Sequence, residues 1–184
     1  MTDDGRIPRP PVIGRALVIT ASNRAAAGVY ADRGGPLLAE GLRGWGFTVD
    51  GPLVVPDGEP VAEALRDAVR QQYDVVLTTG GTGLSPTDRT PEATRAVLDR
   101  EIPGLAEAIR FRGTSAGIPT AALSRGLAGL AGPTLIVNLP GSPGGCRDGL
   151  AVLDGVLIHA VEQIRGGDHA GPSSPPAVEP VHRG

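Results

Sequence analysis

Lysine is absent from this sequence. All 17 basic residues of the 184-residue chain are arginine, which excludes a Walker-type phosphate loop, a Schiff-base enzyme and a ligase working through a lysyl adenylate, since each needs a lysine amine. Cysteine is reduced to Cys146, so neither an internal disulfide nor a multi-cysteine zinc or iron–sulfur centre can form. The three histidines, His159, His169 and His182, come late in the chain, two of them in an expected tail, and a three-histidine metal centre is not expected. Aromatic residues make up 3% of the sequence and no basic stripe interleaves with them, which argues against nucleic acid as a partner. The net charge of −3 is too small to suggest an acidic interaction protein. No apolar run reaches the length of a membrane span, and the opening MTDDGRIPRPP lacks the apolar centre of a secretory signal. A cytoplasmic chain with no membrane partner is expected.

Glycine and proline, 28 and 18 residues, are plentiful, and they fall between apolar runs rather than in one low-complexity tract. The length and the 40% hydrophobic content suit one well-buried domain. Residues 1–13, with three prolines and no periodicity, read as a flexible arm, residues 14–166 as the domain, and residues 167–184 as a disordered tail. Four apolar runs read as strands: Arg15–Thr20, Phe47–Val55, Val75–Thr79 and Thr134–Leu139. Helical spacing is read over Gly35–Trp45, Pro60–Gln72, Pro91–Asp99, about Leu105–Arg112 and, as one long helix, Gly145–Ile164. The glycines of Pro119–Pro133 oppose a stable helix, so that segment is expected as an edge strand or hairpin. This alternation predicts a three-layer α/β sandwich, a mostly parallel sheet with helices on both faces.

Ligands of such sheets bind at the carboxyl ends of the strands, and the unusual loops fall there. The stretch Tyr73–Thr94 runs from a β-branched strand into Gly80, Gly81, Thr82 and Gly83 and restarts as a helix at Thr90-Pro91-Glu92. Its small residues leave backbone N–H groups open to an anion, and the helix start adds its positive dipole end. Thr79 to Asp88 therefore reads as a phosphate or carboxylate cradle. Thr90 suits a helix cap and is also a candidate substrate contact, whereas Asp88 comes too early to be needed for a cap. Asp57, by itself the aspartate of an ordinary Pro-Asp-Gly turn, pairs with Asp88 as a candidate Mg²⁺ site, because that ion favours one or two carboxylates plus substrate phosphates. Ser22 and Arg24 follow the first strand, and Arg24 is the nearest charge partner for a phosphate, with Ser124-Arg125 a second. Asn138 divides evenly between satisfying buried backbone groups and touching a ligand. Pro140, Gly141 and Ser142 offer a rigid wall with close backbone approach. His159 and Trp45 read as structural residues.

Taken together, SNRAAAGVY (Ser22–Tyr30), VPD (Val55–Asp57), TTGGTG followed by D-x-T-P-E-A (Thr78–Ala93) and NLPGSP (Asn138–Pro143) resemble the Mog/MoaB family of molybdenum-cofactor biosynthesis proteins, over roughly Arg15 to Arg165. The resemblance implies a molybdopterin-binding α/β fold, commonly trimeric. It also implies adenylyl transfer: the terminal phosphate of molybdopterin attacks the α-phosphate of ATP, pyrophosphate leaves, and the product passes to a molybdotransferase for metal insertion. On this resemblance Asp57 and Asp88 would hold Mg²⁺ and orient the phosphates. Gly80, Gly81, Thr82 and Gly83 would form the phosphate and pterin loop, and Ser22, Asn138, Pro140, Gly141 and Ser142 the pocket walls. Asn23 departs from the family pattern, in which aspartate is frequent. Larger relatives carry further domains, which are not expected in a chain of 184 residues. A molybdopterin-binding scaffold without turnover is the alternative, and the intact Asp57 and Asp88 favour the enzyme.

Overall fold

Alternation along the strands divides the core in two. In the computed structural model, which describes residues 12–167, Ala16 and Val18 of β1 (Gly14–Ala21) face one side of the sheet and Leu17, Ile19 and Ala21 the other. β3 (Val75–Thr79) and β6 (Thr134–Leu139) repeat the pattern: Val75, Leu77, Leu135, Val137 and Leu139 share the first side, Val76 and Ile136 the second. Strands apolar on both faces are buried on both faces. Helices α2 (Gly34–Gly44), α5 (Pro103–Ser115), α6 (Pro143–Leu153) and α7 (Leu157–Ile164) cover the first side. The second is covered by α3 (Glu59–Arg70) and the short α4 (Thr90–Arg95). The expected three-layer sandwich is therefore present.

The sheet has six strands in the order β2-β1-β3-β6-β5-β4, where β2 is Phe47–Val55, β4 Arg100–Glu101 and β5 Ala128–Ala131. The pairs β1–β2, β1–β3 and β3–β6 are parallel, and β5 runs antiparallel to both of its neighbours.

Three expectations are corrected. The helix expected over Gly145–Ile164 is two, α6 and α7, parted at residues 154–156; Gly155 lowers helix propensity there, and Val156 is 42% exposed. Within Pro119–Pro133 the hairpin forms, β5 returning into β6 through Gly132 at φ +54, but Pro119–Leu123 is a 3₁₀ turn. The helix expected to reach Asp99 stops at Arg95, and the following turn feeds the short strand β4. A further short helix, α1 (Asn23–Ala26), follows β1 directly. The expected arm and tail, with His169 and His182, lie outside the described residues apart from residues 12, 13 and 167. No described helix is long and apolar enough to cross a membrane.

Candidate active site

β1 and β3 are neighbours, yet the chain leaves β1 for β2 on one side and returns to β3 on the other. The connections diverge above this pair and open a crevice at the carboxyl ends. Two cavities lie there. The first, about 290 Å³, sits over β1 and β3 and is walled by Thr20, Ala21, Thr79 and residues of the 22–34 segment. The second, about 420 Å³, has Thr82, Pro140 and Ser142 on one side and an apolar wall of Ile109, Ile118 and Leu123 on the other. Both are bordered by Gly80, Gly81, Asp88 and Gly141.

Glycine at that divide is a steric requirement. Gly80 has φ +94, and a Cβ on it would overlap the carbonyl oxygen of Ala21. A Cβ on Gly141 would lie 3.2 Å from the Gly80 Cα. The loops after β1, β3 and β6 thus meet at one point of backbone. Among the described residues the N–H groups of Gly81, Thr82 and Gly83 donate to no acceptor, so they are left available to an anion.

The two aspartates differ in their engagement. Asp57 Oδ1 accepts from Gly58 N–H (2.7 Å) and from the Thr90 hydroxyl (3.0 Å), and Oδ2 accepts from Arg89 N–H (3.1 Å). Its own N–H donates to Asn23 Oδ1 at 3.0 Å, so asparagine at position 23 supplies the acceptor the turn needs without a charge. Asp57 therefore caps α4, and the helix start expected to be open to a ligand anion already holds one from the protein. Thr90, expected as the cap, is instead the first residue of α4 and a donor to Asp57. Asp88 accepts one bond, from Ser85 N–H to Oδ2 (3.1 Å), and its Oδ1 accepts none among the described residues.

Arg125 fixes the loop that carries Asp88. Its N–H donates to Thr82 O (2.8 Å), Nε to Gly83 O (2.7 Å), Nη2 to Asp88 O (2.7 Å) and Nη1 to Glu92 Oε1. The guanidinium holds the Glu92 carboxyl below its ordinary pKa, against a smaller opposing effect of burial. Arg125 lines neither cavity, so the expected phosphate partner is a clamp on the glycine loop.

The family of probable molybdopterin-binding domains matches residues 17–159. A molybdopterin adenylyltransferase of Haemophilus influenzae is 42% identical over 138 residues, 72% of this chain and 69% of the relative. The chain belongs to the Mog/MoaB family. The structure of the molybdopterin biosynthesis Mog protein from Mycobacterium ulcerans aligns at TM-score 0.79 and 59% identity, over 82% of this chain and 99% of that one. A molybdenum cofactor biosynthesis bifunctional protein of Synechococcus elongatus is 38% identical over 156 residues, 84% of this chain. The chain spans about half the length, or less, of that protein and two other relatives of high similarity.

Within this Mog/MoaB chain the other expected site residues separate into groups. Ser22, Arg24 and Thr79 line the first cavity, Thr82, Gly83, Pro140 and Ser142 the second. Ser22 and Ser142 cap α1 and α6, accepting from Ala25 and Gly145 N–H (3.1 Å each). The Thr79 hydroxyl donates to Pro140 O at 2.8 Å and contacts the buried Cys146 thiol, whose pKa burial pushes up. Asn138 lines neither cavity. It is 3% exposed, donates to the Thr78 and Thr94 hydroxyls (2.9 Å each) and accepts from Leu127 N–H (3.1 Å), so its amide joins β3, β6 and α4.

Several lining residues were not read from the sequence. Asp32 accepts from the Thr20 hydroxyl (2.8 Å) and from Gly34 and Gly35 N–H (3.1 and 2.9 Å), closing the start of α2. Tyr30 and Arg33 flank it in the first cavity, and Asp148 lines the second. An aspartate two residues before Gly34-Gly35-Pro36 was the available signal for Asp32.

No group of three or more His, Cys, Asp or Glu side chains converges on a metal position among the described residues. The donor set fits Mg²⁺ that brings phosphate oxygens with it: Asp88 keeps one carboxylate oxygen unengaged, and Asp57 Oδ2 keeps a lone pair beyond its single bond.

Proposed function

We propose that this chain is a molybdopterin adenylyltransferase that uses ATP as co-substrate, releases pyrophosphate and works with Mg²⁺ at Asp57 and Asp88. The observation that carries the reading is the pair of cavities that share Gly80, Gly81, Gly141 and Asp88 in their walls. The second cavity, with its apolar wall and the edge groups Ser142 and Asp148, suits a flat polar heterocycle, and the first suits a nucleotide. Two phosphates entering from opposite sides meet at the open N–H groups of Gly81–Gly83.

An attacking phosphate is already anionic, so no histidine or lysine base is needed; positioning and charge neutralisation are. Gly81, Thr82 and Gly83 N–H groups orient the phosphates and oppose their charge. The absence of side chains at Gly80 and Gly141 lets the two substrates approach, and Thr79, with its hydroxyl bound to Pro140 O, fixes the spacing of the strands beneath. Mg²⁺ held by Asp88 and Asp57 would supply further neutralisation of the phosphate oxygens.

The names of similar proteins support this reading, being molybdopterin adenylyltransferases of Haemophilus influenzae and Escherichia coli at 42% and 36% identity. The product would pass to a molybdotransferase. A cytoplasmic homotrimer is proposed with it, testable by light scattering of the pure chain. The second reading, a molybdopterin carrier without turnover, draws support from the commitment of Asp57 to capping α4. Incubation of pure protein with molybdopterin, Mg²⁺ and ATP separates the two: adenylylated molybdopterin and pyrophosphate are expected, and bound pterin with no product would leave the carrier.

A further inference from the structure

The first cavity is short of positive charge for a site that takes a polyphosphate. Three carboxylates line it, Asp32, Asp57 and Asp88, against two cations, Arg24 and Arg33. Arg110, the arginine of the second cavity, donates to the carbonyls of Ser124 and Gly126 and is committed there. Arg24 and Arg33 are different. Neither guanidinium makes a hydrogen bond or ion pair among the described residues, and each lies over the Tyr30 ring, 5.5 and 5.9 Å from its centroid. Tyr30 is 41% exposed, so both cations stand at the mouth of the cavity with their N–H donors open to an incoming group. Attraction of an exposed cation to one ring is weak and neutralises neither charge. A multiply charged anion with several acceptor oxygens satisfies both at once.

We propose that Arg24 and Arg33, held by Tyr30, form a receptor for the β- and γ-phosphates of the nucleoside triphosphate and for the pyrophosphate that leaves. The assignment rests on the adenylyl-transfer reading. In that transfer an oxygen of the molybdopterin phosphate forms a bond to the α-phosphorus. The bond from the α-phosphorus to the oxygen bridging toward the β-phosphate breaks, and its electron pair stays on that oxygen. Charge therefore grows on the departing pyrophosphate as the bond opens, and the two guanidiniums oppose it there. Because both lie at the exposed rim, the product leaves directly into solvent. Without them the three carboxylates at this mouth have no side-chain cation opposite them.

Calorimetric titration of the full chain with inorganic pyrophosphate and, separately, with AMP tests the receptor. Arg24→Gln and Arg33→Gln alter exposed side chains without polar partners, so folding is expected to be unchanged. Each is expected to weaken pyrophosphate binding about tenfold while AMP affinity stays within about twofold, and the double variant to lose more than either. Tyr30→Phe should keep the affinity and Tyr30→Leu reduce it, since the ring face holds the cations. Equal pyrophosphate affinity in the wild type and the double variant, or no binding in either, overturns the proposal. So does an equal loss for AMP, which would place the pair against the nucleoside. Turnover keeps the two claims apart. Product formed by the double variant with the wild-type KM for ATP refutes the receptor and leaves adenylyl transfer standing. Arginine-dependent pyrophosphate binding in a protein that makes no product upholds the receptor and refutes the transfer.

Discussion

Asp57 and Asp88 look into the same cavity from regions built on opposite plans. Around Asp57 the protein converges: Gly58, Arg89 and Thr90 all donate to its carboxylate, and Asn23 accepts from its backbone. Around Asp88 the protein holds the backbone and leaves the side chain open, with Arg125 binding the carbonyls at both ends of the 83–88 loop. A carboxylate that caps a helix has its position fixed by the fold and gives up much of its capacity to bind anything else. A carboxylate presented by a clamped loop keeps that capacity and depends on the clamp. One site obtains rigidity from the first and reactivity toward ligands from the second.

The contrast is broken most directly by removing each side chain. Asp57→Ala orphans three donors and is expected to cost about 2–4 kcal/mol of stability, read as a lower urea midpoint, together with loss of turnover. Asp88→Ala is expected to stay within about 1 kcal/mol of wild type while also losing turnover. Equal destabilisation by the two would remove the distinction.

A smaller effect is expected from Arg125→Met, which releases the loop without touching either cavity. Turnover should fall by about tenfold to a hundredfold, because a catalytic group displaced by an ångström loses that much, with molybdopterin affinity nearly kept. Arg125→Lys should recover little, since an ammonium cannot reproduce the planar fork that reaches Gly83, Asp88 and Glu92 together. A variant whose KM for molybdopterin rises while kcat is unchanged would assign Arg125 to binding instead.

The smallest effect is a pH dependence. Arg125 lowers the pKa of Glu92 in the folded chain, so the pair contributes stability above the unfolded carboxylate value, and that contribution is lost as the pH falls through the lowered pKa. Glu92→Gln should therefore be less stable than wild type at neutral pH, and the gap should close in acid. A gap that persists unchanged at low pH would show that charge is not what ties Glu92 to the clamp.

The centre of the sheet was legible because β1, β3 and β6 are largely apolar and end next to glycine, proline or small polar residues, patterns that survive without tertiary information, whereas the two-residue edge strand Arg100–Glu101 has no such pattern. Gly80–Gly83, Asp57 and Asp88 were legible as a convergence of loops on one edge. The commitment of Asp57 was not, since its partners Arg89 and Thr90 are more than 30 residues distant in sequence and its turn looks ordinary. Asn138 misleads for the opposite reason. A polar residue closing a buried strand has the same local signature whether it reaches a ligand or, as here, the hydroxyls of Thr78 and Thr94. The apolar wall of the second cavity could not be read either, because Ile109, Ile118 and Leu123 come from a helix and a 3₁₀ turn whose mutual placement is set by packing.

Three of the four residues common to both cavities are glycines, Gly80, Gly81 and Gly141. A partition made mainly of main chain has few rotamers to sample. The separation of two bound ligands is then governed by covalent geometry and by the packing of Gly80 against Ala21 and Gly141, not by side-chain fluctuation. Thermal agitation of the surrounding core would change how quickly ligands enter while leaving their spacing across the partition almost constant.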